Sequence, residues 1–282
     1  MNKQYKYYHL FLFIMYNNYV DFLQSENTVN TPFKSHSKYT GILEHVNPNL
    51  GNKYLSLILN EFPTKIRLEK IISYCDLNDR YGSPIIREFT IAKSGEESNI
   101  KFKCSPTSLR YIYHALTILT YYEEQQCKNI VEVGCGYGGL CLAINFFMND
   151  FNIDIENYHI IDLKEPVKLI NSYLTMHKKE LKTKLFYHNS STFGSNIHDK
   201  NLFFISNYCY TEIDTHLNKQ YTTQLLTKVS HGFITWQNGG NNHAYPIENA
   251  ESIINHKIIK TMGEKPQTDA GHGIYKNFFV YF

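Results

Sequence analysis

The sequence is poor in the features that would mark several common functions. None of its six cysteines (positions 75, 104, 127, 135, 141 and 209) belongs to a C-x-x-C pair or to a Cys/His array with zinc-finger spacing. That excludes a zinc-ribbon or thioredoxin-like module and leaves reduced, mostly buried thiols in an intracellular protein as the plain reading. No dense basic block occurs: Lys plus Arg number 28 against 26 for Asp plus Glu, a net charge of +2. Nucleic-acid binding usually needs a concentrated cationic face, so no nucleic-acid partner is expected. Nothing approaches the ~20 consecutive apolar residues that cross a bilayer. Internal repeats and low-complexity linkers are absent as well. The run "LFLFIMY" (10–16) behind Lys3 and Lys6 has the outline of a signal peptide. It is short for an apolar h-region, no small-residue cleavage site follows, and "NNYVDFLQ" continues it amphipathically. A packed N-terminal helix in a cytoplasmic protein is the expectation.

What is present is enough for a substantial core: 43% hydrophobic and 15% aromatic residues in 282, room for one large α/β domain or a core with an appended lobe. The first hundred residues carry helical periodicity at 5–24, 51–60 and 65–75, and "LNDRYGSPIIREFT" reads as a turn broken by Gly82 and Pro84. Residues 1–100 are therefore expected to form a helical lobe, serving as lid or homodimer surface, and 101–282 the main domain. "CSPTSLRYIYHALTILTYYEE" opens that domain as a helix. Ser105 caps it, Pro106 suits the first position, and Leu109, Ile112, Leu116 and Leu119 form one stripe. Strands then alternate with helices: 129–133, 139–149, 158–162, 165–179, 184–188, 202–206, 214–228, 232–236 and 247–255. The closing segments "KIIKTM" and "IYKNFFVYF" read as a hairpin. Such alternation implies a mostly parallel sheet whose last strand is antiparallel.

The densest signal is "NIVEVGCGYGGLCLAINFF" (129–147), with Gly134, Gly136, Gly138 and Gly139 between a strand and a helix. Glycines there permit positive φ and remove the Cβ that would block a ligand, while the helix N-terminus offers free N–H groups. Gly134, Gly136 and Gly139 also satisfy the dinucleotide spacing G-x-G-x-x-G, so the turn alone does not choose a cofactor. Glu132 does bear on the choice. E-x-G-x-G-x-G resembles the first motif of class I methyltransferases, where the acid faces the methionine end of S-adenosylmethionine, whereas a carboxylate there would repel a pyrophosphate. Asp162 and Leu163 close the second strand, where an acid takes ribose hydroxyls in either cofactor class. The antiparallel closing hairpin is the methyltransferase topology. The expected fold is thus a Rossmann-like class I methyltransferase fold, with a seven-stranded, mostly parallel sheet and a helical N-terminal lobe.

Four stretches carry a narrower likeness. "NDRYGSP" (78–84), "SPTSLRY" (105–111), "VEVGCGYGGLC" (131–141) and "ISNYCYTEID" (205–214) together resemble a family of sugar O-methyltransferases found in polysaccharide-modifying gene sets. The resemblance spans residues 30 to 282 and implies a sugar or nucleotide-sugar acceptor in glycan biosynthesis. It also implies that Arg110 and Tyr111 touch substrate and cofactor.

Methyl transfer from a sulfonium needs the acceptor oxygen placed in line and its proton removed. Acceptor groups come from the ends of the fourth and fifth strands. Asn207 and Tyr208 stand at the fourth, and Glu212 just beyond is a candidate base whose bland alternative is a capping carboxylate. Of 13 histidines, His243 after the fifth strand and His272 in the closing hairpin are further base candidates, each also readable as an ordinary loop histidine. Asn238 is placed to hydrogen-bond a sugar hydroxyl. Asn189, Ser190 and Ser191 follow the third strand and suit an adenine edge. Ser206-Asn207-Tyr208 lacks the prolines of the amino-methyltransferase motif, which weighs against a base amine as acceptor. Glu212 and Asp214 make a thin basis for Mg²⁺, and no metal is assigned. A methyltransferase for another acceptor and a non-catalytic scaffold of the same fold are the rival readings.

Overall fold

In the computed structural model, residues 18–23, 32–40, 43, 46–91, 99–238, 245–268 and 276–282 are described. Helix α1 (Pro48–Glu61) starts where Asn47 accepts a hydrogen bond from the Leu50 N–H at 2.9 Å and Pro48 takes the first position. Helix α2 (Leu68–Asp79) follows. Next comes an antiparallel ribbon of β1 (Arg87–Ile91) and β2 (Ile100–Cys104), registered with Phe89 opposite Phe102. No strand was legible there in the sequence. Each strand is only five residues long, and β1 turns a single side chain, Phe89, fully into the core. The anticipated turn before it is present, with Gly82 at φ +84° and Ser83 at φ +49°.

Helix α3 (Pro106–Tyr122) begins as its sequence predicts. The Ser105 hydroxyl accepts from the Ser108 N–H at 3.2 Å. Asp79, at the end of α2, accepts from both the Ser105 N–H (2.6 Å) and the Ser108 hydroxyl (2.7 Å), tying the two helices together. The expected stripe of Leu109, Ile112, Leu116 and Leu119 is buried, but so are Tyr113, His114, Ala115 and Ile118. A helix buried nearly all round lies between two layers, here the N-terminal helices and the sheet.

The main sheet has seven strands in the order β5-β4-β3-β6-β7-β9-β8. They are β3 (Asn129–Val133), β4 (Asn157–Asp162), β5 (Lys184–Asn189), β6 (Leu202–Asn207), β7 (Val229–Gln237), β8 (Lys260–Gly263) and β9 (Asn277–Tyr281). The first five pair in parallel. Strand β9 runs antiparallel to both its neighbours, β7 and β8, so it alone opposes the sheet. The expected fold class is the one observed.

Helices α4 (Gly139–Phe147) and α5 (Lys164–Met176) cover one face; α6 (Thr215–Gln224) and α7 (Ala250–Ile254) cover the other. Alternate strand residues divide accordingly. Ile130, Tyr158, Ile160, Phe203 and Ile205 join the layer with α3, while Val131, Val133, Ile161, Phe204 and Trp236 join the layer with α6. Tyr19, Phe33, Tyr39, Tyr54 and Ile71 of the N-terminal region belong to the first of these cores. All six cysteines are unpaired. Among the described residues no helix is long and apolar enough to cross a membrane. The N-terminal helix expected over 5–24 is seen at 18–23; the rest of it lies outside the described residues.

Candidate functional site

Strand β3 has β4 on one side and β6 on the other, so the order in which successive strands are laid down reverses across it. Open α/β sheets bind ligands in the crevice such a reversal leaves. The glycine turn sits there. Gly134, Gly136 and Gly138 take φ of +79°, +60° and +91°, the region that costs other residues about 1–2 kcal/mol. Space is as restrictive as backbone. A Cβ on Gly134 would lie 2.2 Å from the Cβ of Cys209, and one on Gly139 would lie 2.6 Å from the Tyr111 ring. The turn is pinned to β4 by the Gly134 N–H donating to the Ile161 carbonyl at 3.1 Å. Gly138 caps α4 without any side-chain hydrogen bond, leaving first-turn N–H groups open.

The two acids flanking this turn behave differently. Glu132 is sealed inside the layer beneath α4. Its Oε2 accepts from the Tyr158 hydroxyl at 2.6 Å, and burial pushes its carboxyl up to about 8, against the lowering effect of that hydrogen bond. Asp162 lies at the crevice. Its two oxygens accept from the Cys135 N–H (2.7 Å) and the Leu163 N–H (2.8 Å), so it braces the turn itself. Burial pushes Asp162 up to about 6, and backbone N–H groups of Leu163, Cys135 and Gly136 hold it from rising further. Leu163 beside it exposes 42% of its surface, an apolar face left bare at the crevice. Asn189 is occupied locally, accepting from the Ser191 N–H at 2.9 Å as it caps the turn that includes Ser190.

Tyr111 covers the glycines: its hydroxyl is the atom nearest the empty Cβ position of Gly136, at 3.4 Å, and its ring meets Tyr137 edge-on at 5.5 Å. The neighbouring Arg110 guanidinium lies 5.6 Å from the Tyr111 ring and 6.0 Å from the Tyr208 ring, spanning the gap between the β3 and β6 ends.

Beyond β6 the chain turns sharply. Tyr208 takes φ +63° while its N–H donates to the Thr235 carbonyl at 3.1 Å. That strained backbone aims its phenol at Glu264, whose Oε1 accepts the Tyr208 hydroxyl. Glu264 also accepts from the Thr268 N–H (2.9 Å), the Thr268 hydroxyl (2.8 Å) and Asn277 Nδ2 (3.0 Å). Burial raises the Glu264 carboxyl above its usual range, and the four donors oppose the rise. Tyr54 and His114 complete the surroundings. His114 Nε2 is buried without a hydrogen-bond partner, and the Tyr54 hydroxyl is set against that of Tyr208. Burial, then the Arg110 charge, pushes His114 down to about 3, so its ring is neutral.

The remaining sequence candidates fall as follows. Asn207 accepts from the Thr235 hydroxyl at 2.6 Å, at the same strand edge. Glu212 is half-exposed beside Cys209, on the turn that abuts Gly134. Asp214 caps α6, accepting from the His216 N–H at 2.8 Å. Asn238 accepts from the Ile247 N–H at 2.8 Å, tying the end of β7 to the segment before α7. His243 and His272 lie outside the described residues. Glu264 is the site residue that the sequence did not single out. Its signal was positional: an acid immediately after a strand, at the carboxyl edge of the sheet.

The donor set suits an adenosyl cofactor. The left-handed glycines present bare backbone at the crevice, Asp162 retains acceptor capacity toward a diol, and a bare Leu163 can pack a purine face. No family model matches the chain, and no curated protein matches it. Among solved structures, it is similar over 61% of its length to 90% of an S-adenosylmethionine-dependent methyltransferase from Clostridium acetobutylicum, at 11% identity and TM-score 0.42. A magnesium protoporphyrin IX methyltransferase from Synechocystis with bound SAM is matched over 62% of this chain and 80% of that one, at 9% identity and TM-score 0.44. A glycopeptide N-methyltransferase, MtfA, complexed with sinefungin is matched over 60% and 85%, at 9% identity and TM-score 0.44. Likeness at that level carries no weight for substrate or mechanism, which rest on the residues themselves.

Proposed function

We propose that this protein is an S-adenosylmethionine-dependent O-methyltransferase whose acceptor is a sugar hydroxyl, on a nucleotide-sugar or a glycan precursor in the cytoplasm. The observation that carries the reading is Arg110. Its guanidinium is near both Tyr111, which covers the glycine turn, and Tyr208, which bonds the buried Glu264, so one charged group joins the cofactor turn to the Tyr208–Glu264 pair. The cofactor supplies, when bound, a methyl group on a sulfonium that leaves as a neutral thioether.

The chain's own residues then have two tasks. The cradle (Gly134, Gly136, Gly138), Asp162, Leu163 and Tyr111 hold and orient the donor, with Glu132, Asn189, Ser190 and Asn207 shaping its surroundings. On the acceptor side, the Tyr208 phenol takes the proton of the attacking hydroxyl as its own proton passes to Glu264. Glu212, His243 and His272 are the other candidates for that proton. Arg110 and Asn238 are placed to bind hydroxyl or phosphate oxygens of the acceptor. Residues 1–100 act as cover or as a subunit surface for the domain at 101–282.

Calorimetric titration with S-adenosylhomocysteine, beside NADH as a rival, tests the cofactor. No binding by S-adenosylhomocysteine sinks the proposal, as does a larger melting shift with NADH. Transfer of labelled methyl to a panel of nucleotide-sugars, with the product located by NMR, tests the acceptor. Transfer only to amines or phenols would overturn the sugar assignment.

A further inference from the structure

Residues from the N-terminal region lie directly over the glycine turn. Phe33 and Tyr39 meet the ring of Tyr137, itself inside the turn, at 5.8 and 6.3 Å, and the Lys34 ammonium stands 4.2 Å above the same ring. Leu43 reaches to 3.8 Å from the empty Cβ position of Gly136, second only to the Tyr111 hydroxyl. Tyr19 stacks edge-on against Tyr39 at 5.8 Å and is only 3% exposed. Its hydroxyl is fully buried and makes no hydrogen bond. Burial, then the Asp162 and Tyr111 side chains at the crevice, push the Tyr19 phenol well above its ordinary value. A buried hydroxyl without a partner is costly, and a bound ligand that supplies the partner is one way such a group is kept.

A ribose diol presents both donors and acceptors. Asp162 only accepts, and each of its oxygens already holds a backbone N–H, so a diol seated there leaves its own oxygen lone pairs needing a donor. We propose that Tyr19 is a cofactor-binding residue, its phenol donating to a ribose hydroxyl of the adenosyl group seated at Asp162. Tyr39 and Leu43 form part of the roof that holds it there. This rests on the adenosyl-cofactor reading above.

The test compares the wild-type chain with Tyr19→Phe, using S-adenosylhomocysteine and its 2′-deoxy and 3′-deoxy analogues as probes. Loss of one neutral hydrogen bond predicts roughly five- to tenfold weaker S-adenosylhomocysteine binding by calorimetry. The penalty should shrink to less than about twofold for whichever analogue lacks the contacted hydroxyl, by the logic of a double-mutant cycle. The free variant should melt at the same temperature as the wild type or higher, because it sheds an unpartnered buried hydroxyl. Unchanged binding by Tyr19→Phe, an equal penalty with both analogues, or a lower melting temperature of the free variant overturns the assignment. Failure of the wild type to bind S-adenosylhomocysteine instead overturns the cofactor reading, and the inference with it.

Discussion

Replacing Glu132 with glutamine should stabilise the protein, and increasingly so as pH rises. The carboxyl is 2% exposed and titrates at about 8 in the folded chain against 4.5 as the ordinary value. Between those limits the unfolded chain has lost its proton while the folded chain keeps it. The unfolded state therefore binds fewer protons, and stability falls as pH rises through that window. The gap sets a ceiling of roughly 5 kcal/mol, of which about 3 kcal/mol falls between pH 5 and pH 8. For a chain of this length, about 3 kcal/mol moves the melting temperature by roughly 5 °C. Glutamine preserves the shape and an acceptor for the Tyr158 hydroxyl, but has no proton to lose. Asp162, pushed up to about 6, acts in the same direction but is present in both proteins and cancels. Calorimetry at pH 5, 6.5 and 8 should show the wild type losing ground to Glu132→Gln steadily across the series. Parallel curves, or a wild type that gains on the variant at high pH, would refute a neutral buried Glu132.

Gly134→Ala should cost roughly 2–4 kcal/mol, since it combines an unfavourable φ with a 2.2 Å approach to Cys209. A second change, Cys209→Gly, should recover part of that loss in chemical denaturation; no recovery would argue against the clash. Asp162→Asn should weaken S-adenosylhomocysteine binding by about tenfold in calorimetry, a change of roughly 1.4 kcal/mol, and a shift under about twofold would remove Asp162 from the cofactor site. Tyr208→Phe should lower methyl transfer by on the order of a hundredfold while leaving cofactor affinity within about twofold. In the wild type the rate should fall as pH drops through the raised Glu264 value, because protonated Glu264 can take no further proton, and Glu264→Gln should abolish that limb. A Tyr208→Phe enzyme of normal rate would shift attention to Glu212.

Much of the sheet could be read from the sequence because its signals are local. The run "LFFI" (202–205) is apolar throughout, as a strand covered on both faces must be, and the glycines of 134–139 mark a strand-to-helix turn by chemistry alone. The β1–β2 ribbon escaped because its charged residues obscure a single inward-facing phenylalanine on β1. Glu132 was legible as an acid before glycines, but its enclosure depends on Tyr158, 26 residues away on a neighbouring strand. Glu264 was hidden for the same reason more strongly: its partners are Tyr208, Thr268 and Asn277, and only sheet order brings the first of them near.

The two halves of the crevice are stitched from the chain in different ways. The glycine cradle and Asp162 arise within about thirty residues, from two strands adjacent in both sequence and space. The knot around Glu264 gathers Tyr208 across 56 residues and needs β9 seated between β7 and β8 before Asn277 can arrive. Closing such distant contacts is slow, because loop entropy must be spent before they contribute. The cradle is thus expected to be among the early-ordered parts of the molecule and the knot among the last. Hydrogen-exchange labelling during refolding would register this as protection appearing in the β3–β4 pairing before the more distant β7–β9 pairing. Substitutions around Glu264 and Tyr208 would accordingly speed unfolding more than they slow folding.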